Sequence, residues 1–402
     1  MKPPHALIAG AGIGGLCAAL CLARAGWQVT IFDKTPVLEE AGAGLQLSPN
    51  ASSILRDLGV LALLGAAALE PRQILIRRAR DGATLAALPL EDADRRWGAP
   101  YLLAHRADLQ RALLDKIAQD ANISLKLGAT IASFAASQDQ VAVGVKAGPV
   151  TLKFTGDCLI GADGLHSFVR SRLVANPADA PKFANRTAWR ALVPVKSVSP
   201  GMRQQETMLW LGRKAHLVHY PLRGGEIVNV VAIVEDHFRV SESQDFWSSP
   251  GDAEFVKARF SAWDGAARDL IAAAPQWRKW PLFDRDPLPS WSAGRVALLG
   301  DAAHPMLPFL AQGAAQAIED AHALGVALVP GTDVERALAA YQRARQARAA
   351  RVQAESRRQS SIYHLSGPAA LARDLAIRFS GPQRLLGRYD WLYSTVAKAQ
   401  AV

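Results

Sequence analysis

Three glycines at one spacing, set between an apolar strand and a small-residue helix, constrain this chain more than any other feature. Gly10-x-Gly12-x-x-Gly15 follows the strand-like run Ala6-Leu7-Ile8-Ala9 and opens a helical run from Leu16 to Ala25, which Gly26 closes. In such a turn the first glycine allows a tight reversal and the second lets a pyrophosphate approach the backbone. The third lets the helix pack close to the strand. The helix start then offers unpaired N–H groups and a positive dipole end to phosphate. Gln28 to Phe32 reads as a second strand, and Asp33 at its end stands 18 residues after Gly15. That is near the offset at which a carboxylate holds ribose hydroxyls. Strand, helix and strand make a βαβ unit and imply a parallel sheet. Any tight turn can use glycine, but only a dinucleotide site also asks for the acid in register. Ile13 and Gly14 in the turn, and Lys34 beside Asp33, join the expected contacts.

Bulk properties narrow the class. At 402 residues the chain exceeds one typical domain, and 50% hydrophobic with 20% charged residues suits a globular protein with a sizeable core. Lys and Arg number 46 against 36 Asp and Glu, a formal +10. Part of that excess crowds one helical stretch, with Arg336, Arg343, Arg345, Arg348, Arg351, Arg357 and Arg358. No arginine-glycine tract, zinc-ligand spacing or aromatic ribonucleoprotein motif accompanies it, so no nucleic-acid partner is expected. A solvated face or attraction of anionic substrates is the expectation, and a membrane-surface role for this helix is a further alternative. Cys17, Cys21 and Cys158 lack the companions of a metal site, and free buried thiols in a reducing compartment are expected. The glycines at 10 to 15 interrupt what would otherwise imitate a signal peptide, and no apolar run is long enough for a membrane span. The chain reads as cytoplasmic without stable membrane insertion. Its oligomeric state is open.

Two later segments distinguish among dinucleotides. Asp157-Cys158-Leu159-Ile160-Gly161-Ala162-Asp163-Gly164 continues through His166 and Ser167 to Arg170, as strand, Asp-Gly turn and helix. Gly294-Arg295-Val296-Ala297-Leu298-Leu299-Gly300-Asp301-Ala302-Ala303-His304-Pro305 runs as strand, Gly-Asp turn and small-residue loop. Taken singly, each acid is an ordinary turn former or helix cap. The three motifs together, in this order, resemble the flavoprotein aromatic hydroxylases of the p-hydroxybenzoate hydroxylase type, above all salicylate hydroxylase and its hydroxybenzoate and hydroxynicotinate relatives. The resemblance spans about residues 5 to 330 and extends more weakly to Gly387-Arg388-Tyr389-Asp390-Trp391-Leu392-Tyr393.

The resemblance implies FAD, with Gly10, Gly12, Gly15 and Asp33 at its ADP half, Gly44 and Leu45 beside it, and Arg106 reaching it. Asp163 would tie down the FAD loop and bear on nicotinamide cofactor use, and Asp301 would hold the ribityl chain. Pro308 and the run Gln312-Gly313-Ala314-Ala315 would border the flavin ring. It further implies an α/β fold: a Rossmann-like FAD-binding domain with a parallel sheet, an inserted antiparallel substrate-binding sheet, and a C-terminal helical segment. The expected boundaries are 1–70, 100–182 and 276–335 for FAD, 71–99 and 183–275 for substrate, and 336–402 for the C-terminal segment. Strand-like runs at Thr187–Val195, Met208–Leu211, Ala215–Tyr220 and Ile227–Val234, with Gly224-Gly225 as a hairpin signal, agree with such an insert.

The activity implied is a monooxygenase that oxidises NADH or NADPH, forms a flavin hydroperoxide with O2, and hydroxylates a small aromatic acid. A phenol reacts when deprotonated, so a proton relay is expected near its hydroxyl. Water must be kept out. In the strand Ala215 to Pro221, His216, Val218 and Tyr220 share one face while His219 points away. His216 and Tyr220 are the candidate catalytic pair, against the plainer reading of satisfied groups on a half-buried sheet. Leu47, Val218, Pro308 and Phe309 complete the expected substrate pocket. Arg190 and Arg223 are candidates for holding a carboxylate. His304 is expected to serve its loop rather than act as a base. The apolar run Pro305 to Leu310 leaves the ring substituents undefined. Two rivals remain: a flavin monooxygenase or reductase for a larger polyketide, quinone-precursor or prenyl substrate, and a flavin- or ligand-binding sensor without turnover. A flavin halogenase is not supported, because its tryptophan-x-tryptophan-x-isoleucine-proline segment is missing.

Overall fold

The computed structural model describes residues 3–38, 44–174, 176, 179–236 and 249–394. The strand His5–Ala9 lies inside a six-stranded sheet, parallel to Gln28–Phe32 on one side and Cys158–Gly161 on the other. Its uninterrupted apolar sequence follows from burial on both faces. Ile123–Lys126 extends the sheet beyond Gln28–Phe32, and Val296–Leu298 extends it beyond Cys158–Gly161, both in parallel. Three segments far apart in sequence thereby deliver Asp33, Asp163 and Asp301 just past the carboxyl ends of parallel strands in one sheet. Ligands of open α/β sheets bind at that edge. The helix Ile13–Arg24 buries ten of its twelve residues and packs against Gly313–Ala327. Its small residues permit that closeness: a Cβ on Gly14 would come within 3.1 Å of the Ala317 Cβ.

A second sheet of eight strands carries the other lobe. Its order is Ser249–Gly251, Trp277–Asp284, Lys182–Pro194, Ile227–Glu235, Ala215–Leu222, Thr207–Gly212, Gln73–Arg78 and Thr84–Pro89. It departs from the expected insert in two ways. The pairing of Thr207–Gly212 with Gln73–Arg78 is parallel, not antiparallel. The two strands come from separate excursions out of the first domain, so no hairpin dictates their relative direction. In addition, Trp277–Asp284 pairs with Lys182–Pro194, so the sheet extends past the boundary expected at 275. The hairpin signal at Gly224-Gly225 does turn Ala215–Leu222 into Ile227–Glu235.

Alternation along these strands builds two cores. Trp210, Leu217 and Val230 pack on one face beneath the helices Ala253–Arg259 and Gly265–Ala272. Leu209, Leu211 and Tyr220 pack on the other, against Leu385, Leu386 and Leu392 of the C-terminal segment.

The helix Val334–Tyr363 spans 30 residues, and Pro368 and Pro382 stand in the first turns of the two helices that follow, where proline is tolerated. Its arginines act mostly as internal ties rather than as a free basic face. Arg345 pairs with Glu319 and Asp320, Arg348 also pairs with Glu319, Arg357 pairs with Asp284, and Arg351 lies 3.7 Å from the centre of the Trp391 ring. The three cysteines are free and buried. Among the described residues no helix is long and apolar enough to cross a membrane, and no cluster suits a metal ion.

Candidate functional site

A cavity of about 310 Å³ opens between the two sheets. That size lies at the lower end of small-molecule sites. On one side it is walled by Gly12, Ile13 and Gly14 at the start of the first helix. Gly313 and Ala314, which open the fifteen-residue helix Gly313–Ala327, wall it elsewhere. Two helix N-termini therefore present first-turn amides and positive dipole ends to one space, an arrangement suited to an anionic ligand.

The glycine turn is held by contacts that leave no room for side chains. Gly10 has φ +102°, and a Cβ there would fall 2.4 Å from the Ala162 carbonyl oxygen. The first motif thus rests directly on the second. A Cβ on Gly15 would fall 2.0 Å from the carbonyl oxygen of Gly10. Gly12 differs, since a Cβ there would meet nothing within 4 Å. It faces the cavity. Asp33 accepts the Ala11 N–H at 2.7 Å and the Thr35 N–H at 2.8 Å, one with each carboxylate oxygen. It braces the turn and keeps lone pairs for a hydroxyl. Lys34 is exposed beside it.

Asp163 accepts from the Ser167 hydroxyl and from the Val169 N–H, and so ties the Asp-Gly turn to the helix Phe168–Val174. Burial pushes its carboxyl up. Gly10, Gly15, Asp33, Lys34 and Asp163 do not wall the cavity. They shape or flank the loops that do.

Asp301 does wall it, together with Arg106, the first residue of the helix Arg106–Ile117. Asp301 is exposed where it lines the cavity. Burial pushes its carboxyl up, and the positive fields of His304 and Arg106 oppose that shift. Behind this loop Asp320 accepts from His304 at 2.5 Å, from the Gly300 N–H at 3.0 Å and from Arg345 at 2.7 Å. His304 therefore serves the loop, with its ring against Trp291. The donors and acceptors on and beside these walls fit a dinucleotide carrying a diphosphate, a ribose and a polyhydroxyl chain: two helix starts for anionic charge, Asp301 on the wall for hydroxyls, and Asp33 behind the glycine turn as a further acceptor.

On the side of the eight-stranded sheet, His216, Val218 and Tyr220 all line the cavity, as alternation along the strand requires. His219 lies on the opposite face, where its Nε2 accepts the Trp210 indole N–H at 3.1 Å. Burial pushes Tyr220 up, and the nearby Arg190 opposes that shift. Arg190 itself is a wall residue stacked 5.0 Å from the Trp280 ring, with its Nε unpartnered in a buried setting. Arg223 instead makes a two-pronged pair with Asp108 at 2.8 and 2.9 Å, away from the cavity.

Pro308 borders this cavity and a second one of about 180 Å³ beneath the C-terminal helices, whereas Phe309 borders only the second. His216, Val218 and Gln46 line both. Gly44 and Leu45 are on the wall, but Leu47 is not. The chain enters the helix Pro49–Asp57 directly afterwards, which places Leu47 under that helix in the larger core.

Gln46 and His364 were not anticipated. Gln46 accepts from the Tyr101 hydroxyl at 2.7 Å, and its place between Leu45 and Leu47 was the available signal. His364 carries no local signal, because it reaches His216 across 148 positions.

The family model described as FAD binding domain matches residues 4–356. A 3-hydroxybenzoate 6-hydroxylase of Polaromonas naphthalenivorans is 36% identical over 96% of this chain and 95% of its own length. The structure of Klebsiella pneumoniae HpxO with FAD and uric acid superposes with a TM-score of 0.85 at 25% identity, covering 97% of this chain and 96% of that one. A salicylate hydroxylase substrate complex gives 0.83 at 25% identity, with 98% and 95% covered.

Proposed function

This chain belongs to the FAD binding domain family, and as a FAD-dependent aromatic monooxygenase we propose that it hydroxylates the ring of a small phenolic acid, with NADH or NADPH and O2 as co-substrates. When bound, FAD supplies the hydride and oxygen chemistry; the protein supplies binding, orientation and a dry cavity. Gly12, Ile13 and Gly14 would hold its anionic part, Asp33 and Asp301 its hydroxyls, and Gly313 and Ala314 would set a positive helix end against its ring system.

The observation that carries this reading is one cavity shared by the FAD-type walls and by His216, Val218, Tyr220 and Arg190. Arg190 is the group proposed for the substrate carboxylate, since it is half-buried on the wall and keeps a buried guanidinium Nε–H unspent. Val218, Pro308 and Met306 give the ring an apolar bed that limits water. His216 and Tyr220 are the proposed contacts to the ring hydroxyl.

A second reading, a larger substrate, draws on the 180 Å³ cavity that shares His216 and Val218 with the first. The test is NADH and NADPH oxidation by FAD-loaded protein against a panel of hydroxylated aromatic acids and larger phenols, with product and hydrogen peroxide followed together. Many-fold stimulation by a small acid, with hydroxylated product and little peroxide, is the expected result. Stimulation by larger phenols alone moves the assignment to the second reading, and tight flavin binding without stimulation by any compound refutes both.

A further inference from the structure

A buried histidine on the cavity wall, His216, has its proton placed by a second buried histidine, His364. His216 Nδ1 lies 2.9 Å from His364 Nε2, and Arg186 Nε donates to His364 Nδ1 at 3.3 Å. His364 follows the last turn of the helix Val334–Tyr363. The His216 ring is boxed by Phe309 at 5.1 Å and Tyr363 at 5.3 Å between ring centres. The ring nitrogen that bonds His364 is Nδ1, which leaves Nε2 as the other polar atom of a ring that lines both cavities.

A guanidinium donates and never accepts. His364 Nδ1 must therefore be the lone-pair nitrogen, and the single proton of that neutral ring sits on Nε2. This N–H can only be given to His216 Nδ1, so the proton of His216 is left on Nε2. We infer that Arg186 and His364 lock His216 as an Nε2–H donor aimed into the cavity, where it recognises an ionised ring oxygen of the substrate instead of taking a proton from it.

The opposite polarity fails at its outer end. If His216 Nε2 accepted a phenol proton, His216 Nδ1–H would point at His364, and His364 Nδ1–H would then oppose the Arg186 N–H. Storing the proton as an imidazolium is also disfavoured. Burial, followed by Arg186, pushes His216 down to about 3. Burial, followed by His216, Arg186, Arg259 and Arg373, pushes His364 down to about 2. Glu235 offsets part of this positive field, lying 3.9 Å from Arg186 and 3.3 Å from Lys214. A neutral N–H donor stabilises a phenolate, the electron-rich form that oxygen transfer needs, and His364 is a positioning residue for it. The identity of the oxygen rests on the function proposed above, whereas the polarity of the chain does not.

The test is 15N NMR of histidine-labelled, FAD-loaded protein, with His216 assigned by its loss in His216→Phe. His216 is expected as the neutral Nε2–H form, without titration across about pH 6 to 8. An Nδ1–H form or an imidazolium in that range would overturn the inference. His364→Gln keeps the polarity, since its amide accepts from Arg186 and donates to His216, and should preserve the tautomer. His364→Phe keeps the packing but should yield mixed tautomers and raise KM for a turned-over phenolic acid roughly 10- to 100-fold, with kcat less affected. Equal behaviour of the two variants reduces His364 to packing and refutes its positioning role. A correct tautomer in a protein that turns over no phenolic acid refutes the proposed function alone.

Discussion

Gly12→Ala separates two roles that glycine motifs usually confound. At Gly10 a side chain would demand φ +102° from an alanine and set its Cβ 2.4 Å from the Ala162 carbonyl oxygen, so Gly10→Ala must damage the fold. At Gly12 the backbone has φ −69° and ψ 176°, open to any residue, and a Cβ meets nothing within 4 Å. The protein without flavin should hardly notice the change. Alanine is a poorer helix N-cap than glycine but loses less chain entropy on folding, and the two effects leave a net change within about 1 kcal/mol.

The cost of Gly12→Ala falls on the ligand. The new methyl occupies the space through which a pyrophosphate approaches the backbone at this helix start. Losing one or two charge-assisted N–H contacts, each worth about 1.5–3 kcal/mol, corresponds to roughly 10- to 1,000-fold or more in Kd. Thermal unfolding of the flavin-free variants and quenching of FAD fluorescence on titration measure the two effects separately. Gly12→Ala should keep its Tm and lose FAD affinity, whereas Gly10→Ala should lose both. Wild-type FAD affinity in Gly12→Ala, or a flavin-free Tm lowered as far as in Gly10→Ala, would refute the reasoning.

Other expectations follow from the buried charges. Asp320→Asn removes the partner of Arg345 and His304 inside the fold and should cost about 3–5 kcal/mol by chemical denaturation. Burial pushes the Asp320 carboxyl up, but His304 and Arg345 outweigh it and hold the group at about 2. Because its folded pKa lies below its unfolded one near 3.9, its contribution of about 2.5 kcal/mol is present above about pH 4 and is lost as pH falls toward 2. The acid limb of a stability profile should flatten in Asp320→Asn by that amount. Arg190→Met should raise KM for an aromatic acid about tenfold or more in steady-state assays, as expected for loss of a carboxylate partner. Arg223→Met should leave KM unchanged and shift stability by less than about 1 kcal/mol, since its pair with Asp108 is partly exposed.

The residues by themselves determined whatever depends on a few neighbouring backbone angles or on strict alternation. Gly10, Gly12 and Gly15 declare a strand-to-helix turn because each spacing carries its own steric demand. The pleat period of two put His216, Val218 and Tyr220 on one face and sent His219 to the other. The same logic marked the hairpin at Gly224-Gly225.

Partners across long separations were decided only by the tertiary structure. The arginine cluster at 336–358 looked like a solvated face, because Glu319, Asp320 and Asp284 meet it only after the helices pack. Arg190 and Arg223 were equivalent candidates until the sheet turned one into the cavity and left the other beside Asp108. Leu47 follows the alternation of Leu45, yet the helix that begins at Pro49 covers it. The direction of Gln73–Arg78 against Thr207–Gly212, and the chain from Arg186 through His364 to His216, join segments that no short-range rule connects. Backbone preferences act over a few residues, whereas burial, charge pairing and proton placement depend on which distant side chains share a volume, and only the packed chain defines that volume.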